Sequence, residues 1–274
     1  MAISNSFNTY SIATINVRGL NNRTQRQNVF QTLSTQNFHF YALQETHGTT
    51  DSVKIWEKEW KGQSFWSPSQ NSFANGVAIL INPKYSFKID DTDIHRDSVG
   101  RIISIKVKTH QSSHFEIINI YVPTKPKARG LFFNSIPQYI SQFSPLVMAG
   151  DFNMVEDPWK DKLGSRNLYS TIGLNELNQI KQEFKLFDVW RSLNPYKKQF
   201  SWSSSNQSLQ SRIDRIYISN ELISAKPEAK IIPFPWSDHD IVTSTITIPN
   251  TAPSGPGIHT TLLQNKNYVN YMKK

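Results

Sequence analysis

Apolar residues along this chain fall into short runs whose spacing predicts a mixture of strands and helices. Tyr10 to Asn16 is predicted as a buried strand, with Ile12 and Ile15 in a short apolar run. Val29 and Leu33, four apart, give Thr24 to Thr35 one apolar helical face. Phe38 to Gln44 is a second strand ending at Glu45, and Val77 to Ile81 is continuously apolar, as expected of a strand covered on both faces. Ile103, Ile105 and Val107 alternate with Ser104, Lys106 and Lys108, which predicts a strand covered on one face only. Phe115 to Val122 is a further strand, stopped by Pro123. A helix is expected from Ala128 to Gln142, with Pro137 kinking it or opening a new turn. Leu146 to Ala149 is a short strand that delivers Gly150-Asp151. Asn175 to Phe184 reads as a helix, and Ile213 to Ile218 and Ile241 to Ile248 as strands.

No repeat at solenoid spacing interrupts this mixture. Polar residues recur at the ends of buried strands, where open α/β sheets usually hold ligands. The expected fold class is therefore α/β, a four-layer sandwich of two packed mixed β-sheets flanked by helices. Residues 1–249 are expected to form this domain. Beyond Pro249 the stretch Asn-Thr-Ala-Pro-Ser-Gly-Pro-Gly is a linker by composition, and the tail to Lys274 lacks the apolar periodicity for its own core.

Composition narrows the function classes. The chain has no cysteine, which excludes a disulfide framework or a thiolate zinc site and suits a reducing compartment. No stretch approaches the roughly 18 consecutive apolar residues of a membrane span, so no membrane association is expected. Met1 to Asn8 lacks the basic start and apolar core of a secretory leader. The formal charge of +9 either draws the protein to polyanions, of which nucleic acid is the commonest, or only keeps it in solution; composition alone does not choose between them.

The candidate chemistry lies in short polar motifs: Asn16, Gln44-Glu45-Thr46, Asn119-Ile120-Tyr121, Gly150-Asp151-Phe152-Asn153, Arg212 to Tyr217, and Ser237-Asp238-His239. Together they supply a hard carboxylate for Mg²⁺, carboxamide donors, a phenol, and a histidine with carboxylates nearby, the set that metal-assisted phosphodiester hydrolysis needs. A single glutamate suffices as a Mg²⁺ anchor, because the ion keeps water and substrate phosphate as its other ligands. Asn16 is placed to hydrogen-bond Glu45 or metal-bound water, or else is a turn residue before Arg18-Gly19. Asp151 and Asn153, two apart in an extended segment, face one side while Phe152 enters the core; an Asx-rich turn is equally compatible. Tyr121 and Asn119 share the same phase. His239 is the natural general base, with Asp214 its orienting carboxylate, since an aspartate among Ile213 and Ile216 is costly unless paired.

These motifs resemble the exonuclease-III/apurinic-endonuclease-like (endonuclease/exonuclease/phosphatase) superfamily, which includes DNase I and inositol-polyphosphate phosphatases. Within it the chain looks like the endonuclease domain of LINE-type (non-LTR) retrotransposons. The likeness rests on Gln44-Glu45-Thr46-His47, on Phe200-Ser201-Trp202 upstream of Asp214, and on Gly255-Pro256-Gly257-Ile258 with Thr261-Leu262-Leu263. The resemblance implies a DNase I-like fold and a nicking DNA endonuclease dependent on Mg²⁺, or alternatively Mn²⁺. Glu45, with Asn16 beside it, would hold the metal, and Tyr121 and Asn153 would contact the scissile phosphate. Asp151 would polarise the nucleophile or assist the leaving oxygen, while Asp238 and Ser237 complete the pocket. Ser201, Asn119, Asn206, Gln207 and Lys162 join Ser237 as expected substrate contacts. Lys162 stands where the family often carries arginine, and it lacks the bidentate fork. The hairpin expected between Trp202 and Arg212 would enter the DNA groove. The implied partners are double-stranded DNA, a covalently linked reverse transcriptase after residues 250–274, and element RNA through other domains. The implied place of action is the nucleus after synthesis in the cytoplasm. A DNA-repair apurinic endonuclease, a phosphatase of inositol phosphates or lipids, and a DNA-binding module with a decayed site are the alternatives.

Overall fold

The computed structural model describes residues 7–109, 113–142, 144–164, 170–224 and 226–249; the expected linker and tail, 250–274, lie outside the described residues. Among the described residues there are fifteen strands: β1 (Phe7–Asn16), β2 (Phe40–Gln44), β3 (Ser64–Ser67), β4 (Val77–Ile81), β5 (Ile94–Arg96), β6 (Ile102–Lys108), β7 (His114–Tyr121), β8 (Leu146–Asp151), β9 (Lys162–Leu163), β10 (Leu186–Asp188), β11 (Trp202–Ser203), β12 (Gln210–Ser211), β13 (Asp214–Ser219), β14 (Ala229–Ile232) and β15 (Ile241–Pro249). The helices are α1 (Arg23–Thr35), α2 (Thr50–Glu59), α3 (Pro126–Ser135), α4 (Pro158–Asp161), α5 (Leu174–Glu183) and α6 (Val189–Leu193).

Two six-stranded sheets, ordered β14-β15-β1-β2-β4-β3 and β10-β13-β8-β7-β6-β5, pack face to face. Each contains one parallel pair, β1–β2 and β7–β8, joined through α1 and α3, so both are mixed. Alternation along each strand divides the apolar side chains between two layers. On β4, Val77, Ile79 and Ile81 enter the core between the sheets, whereas Ala78 and Leu80 face outward beneath α1 and α2. On the other sheet Ile118, Met148 and Tyr217 face outward beneath α3 and α5. The four-layer α/β sandwich is the one expected, and the uninterrupted apolar run of β4 follows from burial on both sides.

Three local readings are corrected. The expected helix to Gln142 stops at Ser135 and passes into a 3₁₀ turn at Ile136–Tyr139, where Pro137 cannot donate to the preceding turn. That turn covers Ser104, whose Oγ donates to the Tyr139 carbonyl at 2.6 Å. The strand β6 is therefore covered on both faces at Ser104, and only Lys106 and Lys108 stay half-buried. The strand expected from Phe38 begins at Phe40.

The topology gathers polar termini at one end of the sandwich. Asn16 pairs in register with Gln44 at the ends of β1 and β2, and Tyr121 pairs with Asp151 at the ends of β7 and β8. The antiparallel β13 begins at Asp214, directly opposite Asp151. Gly150 has φ 151°, and a Cβ there would lie 2.0 Å from the Ile120 carbonyl oxygen, so the close approach of β7 and β8 at the site requires glycine.

Candidate active site

Asn16 is the central connector. Its Nδ2 donates to Glu45 Oε1 at 2.8 Å and to Asp151 Oδ2 at 3.0 Å, while its Oδ1 accepts the Arg18 backbone N–H at 3.1 Å. Reversing the amide would set oxygen against two carboxylates, so this orientation is dictated by its neighbours. Asn16 therefore braces Glu45 and Asp151 by hydrogen bonding, with its nitrogen, not its oxygen, turned to the two carboxylates. Tyr121 donates to Glu45 Oε1 at 2.7 Å, and His47 Nε2 lies 3.3 Å from Oε2. Burial alone would raise the Glu45 carboxyl, but hydrogen bonds from His47, Asn16 and Tyr121 outweigh it and hold the group at about 2. Tyr121 moves the other way: burial, then the Glu45 charge, keeps its phenol protonated and a donor.

The second half of the site is an acid–imidazole pair. His239 Nδ1 and Asp214 Oδ2 are 2.8 Å apart, and the same oxygen accepts Ser201 Oγ–H at 2.7 Å. With a proton on Nδ1 facing the carboxylate, Nε2 makes no hydrogen bond among the described residues and is the basic nitrogen. Burial works against a charged imidazole here, but Asp214, Asp151 and Asp238 outweigh it and raise His239 above its ordinary value. Asp151 is also raised, first by burial and then by the Asp214 charge. One added positive charge would relieve this crowd of acids.

The donor set fits a divalent cation. Glu45 is ionised and partly exposed, and Asp151 shares the Asn16 amide nitrogen with it. Asp214 Oδ1 is buried without a hydrogen-bond partner, a further oxygen turned on no protein donor. Asp151, Asp214 and His239 also offer ligand atoms within 4.8 Å of one another. A hard cation such as Mg²⁺ prefers oxygen, and His239 already engages Asp214, so the ionised Glu45 is the residue that would anchor it.

Backbone strain accompanies this arrangement. Arg18, Glu45 and Asn153 have φ 48°, 50° and 48°, a left-handed conformation that non-glycine residues rarely adopt. At Asn153 the backbone N–H bonds Asp151 Oδ1 at 2.8 Å and Nδ2 bonds the Val122 carbonyl at 2.9 Å. The Asx turn and the projection of Phe152 into the core, against Tyr217, thus coexist.

Other expected positions take different places. Asn119 is fully buried between the sheets, donating to the Leu43 and Ala78 carbonyls at 2.8 Å and accepting from Gln44, so it cannot touch substrate. Ser201 is likewise buried and acts on Asp214 rather than on substrate. Ser237 Oγ donates to the Asn16 carbonyl at 2.7 Å and receives the His239 backbone N–H at 3.2 Å, which positions the histidine loop. Asp238 Oδ2 accepts Arg18 Nη1 and Trp202 Nε1, both at 3.0 Å. Sequence reasoning left Arg18 and Trp202 out of the site; a lone charge just past a strand end was the available signal for Arg18.

The hairpin β11–β12 forms as expected and pairs with β9. Asn206 Oδ1 accepts Ser204 Oγ, the Ser208 N–H and Ser208 Oγ, so this oxygen shapes the turn, while Gln207 stands exposed at φ 55°. Lys162 is half-buried on β9. Its neighbour Asp161 is the hub of a buried ion network, holding Arg212 at 2.7 and 3.1 Å and bonding Arg191; Arg212 also bonds Asp188. That network fixes the base of the hairpin.

Comparison with known proteins identifies the family. The profile of the Endonuclease/Exonuclease/phosphatase family matches residues 6–239. The Xenopus laevis transposon TX1 uncharacterized 149 kDa protein is 31% identical over 253 residues, which cover 90% of this chain and 18% of that protein. The chain thus spans less than a fifth of that relative. Among solved structures, an AP endonuclease from Leishmania major superposes with TM-score 0.71 at 15% identity, covering 88% of each chain. The endonuclease domain of TRAS1, a telomere-specific non-LTR retrotransposon, superposes with TM-score 0.60 at 13% identity, covering 89% of this chain and 100% of that one. At these identities the structural likeness speaks to fold.

Proposed function

The chain belongs to the endonuclease/exonuclease/phosphatase family, and we propose that it is a Mg²⁺-dependent DNA endonuclease of a LINE-type retrotransposon. In this reading it nicks target DNA to leave a 3′-hydroxyl, from which a linked reverse transcriptase elsewhere in a longer protein primes synthesis in the nucleus. The observation that carries the reading is the convergence of the Asp214–His239 pair with Glu45, Tyr121, Asn16 and Asp151 at one end of the sandwich. The likeness to a transposon protein over 90% of the chain supports a mobile-element origin.

When bound, the cation would offset the carboxylate charge and polarise a phosphoryl oxygen. Asp214 holds the imidazole through Nδ1; with the carboxylate charge that favours the protonated ring offset by a cation on Glu45, Nε2 is left to take a proton from the attacking water. Asp151, whose proton burial favours, is placed to protonate the leaving 3′ oxygen. Asn16 and Tyr121 fix Glu45, and Ser201 fixes Asp214.

The test compares undamaged supercoiled plasmid with a duplex carrying one abasic site. Mg²⁺-dependent nicking of the plasmid, abolished by chelation and leaving ends that a polymerase extends directly, is expected. Incision confined to the abasic duplex would contradict the reading and identify a repair activity.

A further inference from the structure

Next in the chain to the segment Ser237-Asp238-His239 lies an open surface cavity of about 480 Å³ that the proposed chemistry does not use. Asn22, Thr24, Gln25 and Asn28, from the start of α1, form one wall; Pro235 and Trp236, from the segment leading into Ser237-Asp238-His239, form the other. No ionisable side chain lines it, although the protein carries a net charge of +9. It is therefore poorly suited to a phosphate. It offers an indole beside uncharged carboxamides and a hydroxyl, the two kinds of group that recognise a nucleobase by its face and by its edge.

The indole is fixed yet accessible. Trp236 Nε1 donates to Thr32 Oγ1 at 3.0 Å and its carbonyl accepts Gln25 Nε2 at 3.4 Å, while the residue remains 36% exposed. The Asn28 carboxamide makes no hydrogen bond among the described residues. Two contacts tie this wall to the catalytic centre: Ser237 Oγ to the Asn16 carbonyl at 2.7 Å, and Arg18 to Asp238 at 3.0 Å. Three residue steps lead from Trp236 to His239, at most about 11 Å between their Cα atoms. That distance is roughly three nucleotide steps of 3.4 Å.

Resting on the reading of the chain as a DNA endonuclease, we propose that this cavity receives one unstacked nucleobase of the substrate, within about three nucleotides of the scissile phosphate. The base stacks on Trp236 and its edge meets Asn28. Unstacking is least costly at flexible pyrimidine–purine steps, so nicks should favour positions beside them. The cavity is then a determinant of nick position separate from the β11–β12 hairpin.

The experiment uses the full chain and duplexes in which a single 2-aminopurine is moved one position at a time around a mapped nick. A fluorescence change at one position is expected in the wild type and should vanish in Trp236→Ala. Loss of a stacked base should raise KM at favoured sites about 5- to 100-fold. The value of kcat at saturating DNA should hold, and Trp236→Phe should recover most of the loss. Asn28→Leu should redistribute nicks. A folded Trp236→Ala protein with wild-type KM, nick map and fluorescence overturns the proposal. Should Trp236→Ala fail to fold, an unchanged nick map in Asn28→Leu overturns it instead. A wild type that nicks no DNA sinks the functional reading itself, whereas active but unchanged variants sink only the cavity.

Discussion

The hydroxyl of Ser201 makes three hydrogen bonds: it donates to Asp214 Oδ2 and accepts the backbone N–H groups of Ile213 and Asp214 at 3.1 and 3.0 Å. Alanine would leave both N–H groups without their partner and free Asp214 to turn from His239. Ser201→Ala should therefore cost about 1–3 kcal/mol in denaturant unfolding. It should also lower kcat beyond what lost stability explains, and Ser201→Thr should restore both. Wild-type turnover in the alanine variant would remove Ser201 from its positioning role. Residues such as Asp214 and His239 were legible in the sequence because an ionisable group beside an apolar run needs a partner. The direction in which a buried amide faces was not legible. Asn16 and Asn119 both read as carboxamides near strand ends, yet Asn119 lies two residues before the end of β7, where the sheets close over it.

Strands covered on both faces announced themselves as apolar runs, whereas the parallel pairing of β1 with β2 and of β7 with β8 had no signal in the sequence reading. The helix α2 was not legible either: Val53 and Trp56 are its buried positions, while Ile55 is 58% exposed between them and blurs the periodicity. Strands of two residues, such as β9, β11 and β12, are too short to show any alternation. The hairpin they build was legible instead from its uncharged Ser- and Asn-rich turn. Its base is fixed by Asp161, Arg191, Arg212 and Asp188, so the tip can be exchanged without disturbing the site. Replacing Ser204 to Gln210 with a short Gly-Ser turn should redistribute nicks along a long duplex while Mg²⁺-dependent cleavage persists. An unchanged pattern at single-nucleotide resolution would place specificity elsewhere.

Across the whole molecule, stability leans on buried carboxylates held ionised by cations. Burial would raise Glu156, but Lys181, Arg215 and the Tyr217 hydroxyl outweigh it and hold the group at about 2. A carboxyl depressed on folding stabilises the protein above its unfolded pKa of about 4.5, and the contribution is lost as pH falls through the folded value. Wild type should thus exceed Glu156→Gln by about 2 kcal/mol at pH 6 to 7, and the two unfolding curves should converge as pH falls toward 2. A constant difference across that range would contradict the assignment. The central claim, that one end of this sandwich hydrolyses DNA through His239, has a direct test. Nicking of supercoiled plasmid in Mg²⁺ is measured for wild type and for His239→Ala, with folding of both verified by circular dichroism. Loss of the general base should cut the rate by about 10²–10⁴. A folded His239→Ala protein that nicks at the wild-type rate would contradict the account.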